Sequence, residues 1–399
     1  MMDSYIKLDL IQEGRIHFLA PDLKFYSKNK RLDPAWAPVF YNPAMKLSRD
    51  ISIALIDAYA KNLGRSSIRI CEPLSATGVR GLRYAAELDV AEEVIINDKN
   101  KNAYYLEIKN ISYNNLTEKV KVFNRDARAL LYDFAERNEK FDVVDIDPFG
   151  SPAPFVEAAL SVLKHKGLLL LSATDLAPLF GVNPRACRRK YLATPILSEF
   201  SKEIGARILA AFTAREAAKI GLAAKPIFTV LIRHSLRLGF IVERNKGLAS
   251  RSVELIGYVT FCPKCMYRTL TETLPERFKC PSCGGHLTVG GPLWVDKLWN
   301  NDFCHTVLQL YKSREYLDEK GLKIIELIAN EADKPHLYTT VTTIARIAAL
   351  KEEPSPLEVV NKVLKAGCSA SLTHFDSKGF RVNLQPNEII KIINSFEKC

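Results

Sequence analysis

The chain has 399 residues, more than one ordinary hydrophobic core supports, so its length predicts two domains. Hydrophobic residues make up 47% and charged residues 25%, without a long polar or repetitive tract, which excludes a disordered chain and a repeat architecture. The formal net charge of +11 predicts a positive field that attracts phosphate backbones, with an excess of solvated lysine as the alternative.

The sequence has neither a basic and apolar leader nor eighteen consecutive apolar residues. We therefore expect a soluble, cytoplasmic protein without membrane contact, and we favour a monomer. Nine cysteines are an odd number for a disulfide framework, and four of them fall in two close pairs that suit a metal better.

Short β-branched runs alternate with helical patterns from about Ile68 to Val242, which predicts an α/β fold with a largely parallel sheet. Ahead of the sheet, Tyr41-Asn42-Pro43 has the composition of a turn, and we expect Ser48 to cap a helix from Arg49 to about Asn62. The candidate strands are Ile68–Cys71, Val94–Asn97, Val120–Phe123, Phe141–Ile146, Leu168–Ala173, Ile227–Arg233 and Leu238–Val242.

The pattern changes after Val242, where a charged stretch, ERNKGLASRS, predicts a linker. We therefore predict a first domain over residues 1–243 and a second over 244–399, with a cysteine-rich module at about 258–294. Beyond that module, four helical patterns precede two short strand patterns at 371–375 and 380–384. Helices followed by a hairpin suggest a winged-helix-like tail.

At the end of the first predicted strand, CEPLSATGVRG passes through a small-residue loop into a helix that begins near Val79. Ligands bind at this position in open α/β sheets. The loop lacks the G-x-G-x-x-G spacing, so a pyrophosphate site fits poorly, and a tight strand-to-helix turn is the alternative. Asp98, at the end of the second strand, favours ligand binding because a carboxylate there can accept both hydroxyl hydrogens of a ribose.

Asp126 follows the third strand, where its carboxylate can accept from an adenine amine while the backbone of Ala127 contacts the ring edge. Capping of the following helix is the alternative role, and the two roles can coexist. The loop, Asp98 and Asp126 lie at three successive strand ends and together predict a nucleoside-binding pocket.

The fourth strand ends in the segment Asp145–Gly150, which contains D-P-F-G. Methylation of a base amine requires hydrogen-bond acceptors, because the nitrogen lone pair is delocalised into the ring. The carboxylate of Asp147 can accept one N–H and the carbonyl of Pro148 the other, while Phe149 offers a face for an extruded base. We expect Asp145 to lie inside the strand. The alternative interpretation of D-P-F-G is a tight turn without a catalytic role.

A stretch from Gly181 to Thr194 contains no acidic residue and an interleaved Tyr191, which favours contact with RNA phosphates over a merely solvated basic face. Its cationic side chains are Arg185, Arg188, Arg189 and Lys190.

Four cysteines, Cys262, Cys265, Cys280 and Cys283, have the spacing C-x2-C-x14-C-x2-C. This spacing predicts two knuckles that close a tetrahedral zinc site, and four protein ligands leave no open position, so the predicted role is structural. The alternatives are disulfides or free thiols, with His286 as a less favoured ligand.

Several segments in the same order resemble the tRNA (guanine(26)-N(2))-dimethyltransferases, and the similarity spans nearly the whole chain. The segments are Val39–Pro43, Leu47–Asp50, Leu74–Gly81, Asp145–Pro152, Pro184–Tyr191 and Thr373-His374-Phe375.

This resemblance implies a seven-stranded, Rossmann-like class I methyltransferase sheet and an α+β, tRNA-binding C-terminal domain with a zinc-ribbon-like module. It implies that S-adenosyl-L-methionine donates methyl groups to N2 of guanine 26 in tRNA, giving the mono- and then the dimethylated base. It implies cofactor contacts for Arg49, Arg80, Asp98, Asp126 and Ala127, the two arginines meeting the methionine carboxylate. The alternatives are methylation of another RNA or DNA base amine and a non-catalytic, zinc-containing RNA-binding scaffold.

Overall fold

The computed structural model describes residues 6–28 and 31–395. The chain opens with an antiparallel hairpin that the sequence analysis did not predict, β1 (Leu8–Glu13) and β2 (Ile16–Pro21). Gly14 makes its turn with φ +57°, and a β-carbon there would lie 2.0 Å from a carboxylate oxygen of Glu87. Most side chains of β1 are not buried, so its sequence lacks the alternation that marks a half-buried strand.

A seven-stranded sheet follows, in the order β5-β4-β3-β6-β7-β9-β8, and it contains all seven predicted strands. Neighbours from β5 to β7 pair in parallel, whereas the two-residue connection between β8 and β9 makes that pair antiparallel. The predicted seven-stranded sheet is confirmed. Its strands are β3 (Ile68–Glu72), β4 (Ala91–Asn97), β5 (Val120–Phe123), β6 (Phe141–Ile146), β7 (Leu163–Ala173), β8 (Ala223–Ile232) and β9 (Ser235–Glu243).

Every residue of β6 is buried, as are the apolar residues that end β7. Burial on both faces explains why these strands are continuous apolar runs and do not alternate. The helices that accompany the sheet are α1 (Lys46–Asn62), α2 (Val79–Glu87), α3 (Lys101–Tyr113), α4 (Ala127–Glu136), α5 (Val156–Ser161), α6 (Leu176–Leu179), α7 (Pro184–Tyr191) and α8 (Ser201–Lys219).

The start of α1 differs from the prediction. The side chain of Asn42 accepts the backbone N–H of Ala44 at 2.9 Å and so caps a short 3-10 turn that leads directly into α1 at Lys46. Ser48 therefore lies inside the helix and is buried, and the prediction that it caps α1 was wrong.

The cysteine-rich segment forms a three-stranded antiparallel sheet in the order β11-β10-β12, and a second small sheet near the C-terminus has the order β13-β15-β14. The predicted tail helices and strands are present, whereas β13 and α14 were not predicted. The charged segment after Val242 was expected to be a linker, but most of it forms helix α9, which Asn245 caps. The elements are α9 (Lys246–Glu254), β10 (Ile256–Phe261), β11 (Arg268–Thr271), β12 (Thr288–Trp294), α10 (Asn301–Lys312), α11 (Glu319–Glu331), β13 (Thr339–Thr340), α12 (Val341–Ala348), α13 (Pro356–Lys365), β14 (Ala370–Leu372), β15 (Gly379–Val382) and α14 (Pro386–Ser395).

The chain divides into two compact units, and neither is continuous in sequence. The first unit comprises Met1–Ser172, Gly239–Glu243 and Thr306–Leu322, and the second comprises Ala173–Leu238, Arg244–His305 and Lys323–Cys399. The functional division at residues 243 and 244 stays a prediction. Among the described residues, no helix combines the length and the apolar character needed to cross a membrane.

A buried ionic cluster stabilises the first unit. The guanidinium of Arg83 donates to Glu13 at 2.9 Å, to Asp50 at 2.6 Å and to Glu87 at 2.8 and 3.0 Å. All four side chains are buried. A buried charge is tolerated when its partners satisfy it, so Arg83 holds β1, α1 and α2 together through these carboxylates.

Replacing Arg83 with methionine would leave buried carboxylates short of a partner, and we expect it to lower the free energy of unfolding by about 3–5 kcal/mol. Urea denaturation measures this change. Arg137→Met is the matched control, because Arg137 forms an exposed pair with Asp133, and its effect should stay within about 0.5 kcal/mol. Equal effects of the two variants would show that the buried cluster does not stabilise the unit.

Candidate active site and metal centre

Acidic side chains gather at the carboxyl ends of four neighbouring parallel strands. Glu72 ends β3, Asp98 follows β4, Asp126 follows β5 and Asp147 follows β6. Parallel strands end at the same edge of a sheet, and ligands of open α/β sheets bind outside that edge. The fold therefore brings the predicted loop and carboxylates to one edge.

Asp98 ties the loop after β3 to the end of β4. Its two carboxylate oxygens accept the backbone N–H groups of Ala76 at 3.0 Å and Asn100 at 2.8 Å. Burial raises the pKa of Asp98 above its ordinary value, against the lowering influence of these hydrogen bonds. Each oxygen of a carboxylate has two lone pairs, so both oxygens retain acceptor capacity for ribose hydroxyls.

The loop itself is tightly turned. Ala76 and Gly78 have φ angles of +52° and +76°. A β-carbon on Gly81 would lie 2.2 Å from the side chain of Ile96, so this position requires glycine for close packing of α2 on β4.

Asp126 caps α4, because its Oδ1 accepts the backbone N–H groups of Arg128 at 3.0 Å and Ala129 at 3.2 Å. The carboxylate is half exposed, while Ala127 is buried at the first position of the helix. Asp126 therefore has the helix-capping role that was the alternative to a cofactor contact. This role uses one oxygen and is compatible with an adenine contact by the other.

Arg80 connects three acidic residues of the site. Its Nη2 donates to Oδ2 of Asp147, its Nη1 lies 3.7 Å from Oδ2 of Asp145, and its Nε lies 3.5 Å from Oε1 of Glu72. Nη1 also donates to the hydroxyl of Ser52 at 2.8 Å. Burial opposes its charge, but Asp147 and Asp145 hold the pKa of Arg80 well above its usual range.

The two aspartates that flank Ile146 differ in exposure. Asp145 is fully buried inside β6, as expected, and accepts the hydroxyl of Tyr84 at 2.5 Å. The side chain of Asp147 retains 14% of its accessible surface. Asp147 is therefore the aspartate that an external group can reach.

Phe149 is 71% exposed, an unusual environment for an aromatic ring. The ring of Phe40 meets it edge to face, with centroids 4.5 Å apart and an interplanar angle of 81°. Gly150 follows with φ +83°, and Pro148 is buried. Phe40 contacts one side of the Phe149 ring, and the rest of that ring stays exposed. An accessible aromatic surface thus lies two residues after Asp147 in the sequence.

Arg49 is engaged by protein groups. It forms a bidentate pair with Glu13 at 2.6 and 2.7 Å, and its Nη2 donates to the carbonyl of Asn42 at 3.2 Å. Both predicted carboxylate-binding arginines, Arg49 and Arg80, thus already contact carboxylates of the chain. Their contact with a methionine carboxylate stays a prediction.

The predicted RNA-contacting residues lie on α7, which Asn183 caps. Arg185, Arg188 and Arg189 are exposed, whereas Lys190 forms a salt bridge with Asp175 at 2.8 Å. The adjacent Tyr191, whose position among the basic residues favoured RNA contact, is fully buried and donates its hydroxyl to the same aspartate. Contact of the four cationic side chains with RNA stays a prediction.

The four cysteines converge. Their sulfur atoms all lie within 4.8 Å of one another, and the pairs Cys262–Cys283 and Cys265–Cys280 are 3.6 and 3.5 Å apart. Zinc–sulfur bonds of about 2.3 Å place the corners of a tetrahedron about 3.8 Å apart, so the arrangement fits a zinc site with four thiolate ligands. His286 does not belong to the cluster, and its Nδ1 lies 2.7 Å from the carbonyl of Leu287.

Comparison with known proteins identifies the relationship. The sequence profile of the N2,N2-dimethylguanosine tRNA methyltransferases matches residues 22–394. The chain belongs to this family. A tRNA (guanine(26)-N(2))-dimethyltransferase of Saccharolobus solfataricus is 35% identical over 98% of this chain and 100% of its own. A tRNA (guanine(26)-N(2)/guanine(27)-N(2))-dimethyltransferase of Aquifex aeolicus is 33% identical over 96% of this chain and 95% of its own.

A solved member of the family, Trm1 from Pyrococcus horikoshii in complex with S-adenosyl-L-methionine, superposes with a TM-score of 0.82. It is 30% identical, and the match covers 96% of this chain and 99% of that one. The family resemblance that the motifs indicated is confirmed.

Sequence reasoning missed three residues of this family member's candidate site. Glu13 pairs with Arg49, Glu72 contacts Arg80 and accepts the backbone N–H of Gly81 at 2.8 Å, and Phe40 packs on Phe149. An acidic residue directly before the loop and an aromatic residue directly before Tyr41-Asn42-Pro43 were the available signals for the last two.

Zinc should accompany the purified protein at about one equivalent per chain, because four convergent thiolates satisfy its tetrahedral preference. We expect Cys280→Ser to lower the zinc content measured by mass spectrometry and to increase hydrogen exchange over residues 256–294. Cys368→Ser, outside the cluster, should change neither value. Wild-type protein that carries no zinc when isolated without chelators would contradict the prediction.

Glu72 should make stability depend on pH. Burial, with Asp145 and Asp147, raises its pKa from 4.5 to about 8, against the lowering influence of Arg80. The folded state therefore keeps a proton that the unfolded state loses, so the stabilisation is full below about pH 4.5 and is lost as the pH rises to about 8.

We expect Glu72→Gln, which cannot ionise, to flatten this decline in urea denaturation series between about pH 5 and 8. Glu157→Gln, on exposed surface, is the control and should leave the decline unchanged. Parallel curves for Glu72→Gln and the wild type would exclude Glu72 as the cause.

Proposed function

We propose that the protein transfers methyl groups from S-adenosyl-L-methionine to the exocyclic N2 amine of guanine 26 in tRNA, giving N2-methylguanosine and then N2,N2-dimethylguanosine. The observation that carries the proposal is the partly exposed carboxylate of Asp147, which Arg80 holds in place. The exposed ring of Phe149 follows it two residues later in the sequence. Family membership supports the choice of guanine in tRNA.

The strand-end residues suit the cofactor. Asp98 offers acceptors to the ribose hydroxyls, and Asp126 with the backbone of Ala127 suits the adenine edge. Arg49 and Arg80 are the candidates to bind the methionine carboxylate. Each would do so while keeping its present partner, Glu13 for Arg49 and Asp147 for Arg80. When bound, the cofactor supplies a methyl group on a cationic sulfonium.

The chain's own residues prepare the nucleophile. A guanine stacked on Phe149 would place its amine toward the neighbouring acceptors, the carboxylate of Asp147 and the carbonyl of Pro148. Accepting the two N–H groups localises the nitrogen lone pair. The proton that leaves the amine as the N–C bond forms has Asp147 as its nearest proposed acceptor, and Arg80 keeps that carboxylate oriented.

Features of the second unit favour an RNA substrate. We infer that Arg185, Arg188 and Arg189 contact phosphates, with Lys190 contributing less because it already pairs with Asp175. The four-cysteine zinc site would stabilise a tRNA-binding C-terminal domain over 244–399. The small C-terminal sheet has the order β13-β15-β14, and α12 and α13 lie between β13 and β14 in the sequence. This arrangement supports a winged-helix-like tail. We also propose that the protein is a cytoplasmic monomer.

Incubation of the protein with labelled donor and an unmodified tRNA transcript tests the proposal. Asp147→Asn removes the charged acceptor, and we expect kcat to fall by about 10²–10³ while affinity for the donor is retained. Asp133→Asn, on a helix surface of the first unit, is the matched control and should keep wild-type kcat. Wild-type turnover by Asp147→Asn would refute the assigned mechanism.

Nucleoside mass spectrometry separates the alternatives. The proposal requires N2-methylated guanosine that disappears when guanine 26 is replaced in the transcript. N6-methyladenine or a methylated cytosine amine would identify a different base methyltransferase, and failure to bind the donor in calorimetry would identify a non-catalytic scaffold.

A further inference from the structure

A pocket of about 470 Å³ lies within the second unit, and its lining includes none of the strand-end residues described above. Its apolar wall includes Phe180, Val182, Leu231 and Phe375, and its polar groups include Lys202 and Arg233. The volume is sufficient for one nucleotide-sized ligand. The lining thus combines an aromatic and aliphatic surface with cations.

The motif Thr373-His374-Phe375 builds this pocket, although the proposed reaction gives the motif no role. Nε2 of His374 accepts the backbone N–H of Leu231 at 3.2 Å, so its Nδ1 carries the ring proton and donates to Glu331 at 2.5 Å. The imidazole therefore fixes the end of β8 beside Phe375. A histidine held at both nitrogens keeps this wall rigid.

The cations of the pocket leave a positive excess. Nζ of Lys202 is held by the carbonyl of Phe375 at 2.9 Å and by Asp376 at 2.8 Å. Arg233, also in the lining, is exposed and forms no ion pair with any residue in the described ranges. An anion such as a phosphodiester complements this arrangement.

Arg233 occupies a backbone conformation that disfavours it. It is one of the two residues of the β8–β9 turn, with φ +50°, where glycine or asparagine is the usual residue. Glycine would relieve this strain, so replacing Arg233 with glycine removes the guanidinium without disfavouring the turn.

The pocket adjoins the basic helix in sequence and in structure. Val182 lines the pocket, and α7 begins two residues later at Pro184 with Arg185, Arg188 and Arg189 exposed. An RNA backbone on this helix would therefore run past the pocket mouth. Single-stranded nucleotides bind where apolar rings accept a base and cations accept its phosphate.

We propose that this pocket binds an unstacked nucleotide of the tRNA substrate other than the methylated guanosine, with its base against Phe180 and Val182 and its phosphate at Arg233. The inference rests on the proposed function and assigns to that function a second point of attachment for the RNA.

Arg233→Gly tests the phosphate contact. We expect KM for tRNA to rise about tenfold at moderate salt, with unchanged kcat at saturating tRNA and unchanged donor affinity. The slope of log affinity against log salt should become shallower by about 0.7–0.9, since one contact is lost. The melting temperature should be equal or higher, because glycine suits the turn.

Lys225→Ala is the matched control. It removes one exposed charge from β8, the strand that leads into the turn with Arg233, at a site roughly 26 Å from Arg233 along the chain. It should keep the wild-type KM and salt slope. If Arg233→Gly and Lys225→Ala give the same values, the phosphate contact is refuted.

Ala177→Trp tests the base contact without changing charge. Ala177 lines the pocket on α6 and is exposed, so the larger ring fills the pocket without entering a core. We expect a raised KM for tRNA with an unchanged salt slope, while Ala177→Ser stays at the wild-type value. Equal KM values for the two Ala177 variants would overturn the base contact.

The wild type separates failure of this inference from failure of the proposed function. If it does not methylate tRNA, the proposed function fails and the pocket loses its substrate as well. If it methylates tRNA while Arg233→Gly and Ala177→Trp behave like their controls, the pocket proposal alone fails.

Discussion

The guanidinium of Arg80 imposes the constraint on which the candidate site depends. It is buried on α2, yet it reaches Glu72 at the end of β3 and both Asp145 and Asp147 on and after β6. A buried charge with several carboxylate partners cannot move without leaving one of them unpaired. The direction of the Asp147 side chain is thereby coupled to the packing of α2 against the ends of β3 and β6.

Both units contain a buried arginine that pairs with several buried carboxylates. In the first, Arg83 joins Glu13, Asp50 and Glu87, while in the second the buried Arg381 donates to Glu331 and pairs with Glu203 at 2.9 Å. Burial opposes ionisation, but Arg381 and His374 lower the pKa of Glu331 to about 2. Well-paired internal charges join segments that are distant in sequence. Replacing one partner alone leaves the other charge buried and unpaired, whereas an apolar core tolerates single substitutions of similar volume.

Local periodicity was sufficient for the sheet but not for the pairing of its side chains. The strands from Ile68 to Val242 were found because apolar, β-branched runs have a length that only strands suit. The position of Asp147 was found because it follows such a run. Its pairing with Arg80, 67 residues away in sequence, depends on the crossover geometry and is invisible to a local pattern.

The errors have physical causes as well. Ser48 was a plausible cap, but Asn42 and Pro43 begin the helical path earlier. The hairpin of β1 and β2 was missed because β1 leaves most of its side chains accessible. Tyr191 was taken as a sign of RNA contact because its neighbours are basic, whereas its ring packs against Phe212 inside the second unit.

The discontinuity of the two units has a consequence for biosynthesis. The first unit needs residues 239–243 and 306–322, which leave the ribosome long after Ser172. The end of β9 and the segment through Leu322 are therefore added late, and neither unit can complete its folding while the other is still unsynthesised. Throughout this interval the edge of β7 that neighbours β9 in the finished sheet stays unpaired, and an unpaired strand edge is a site at which nascent chains can associate.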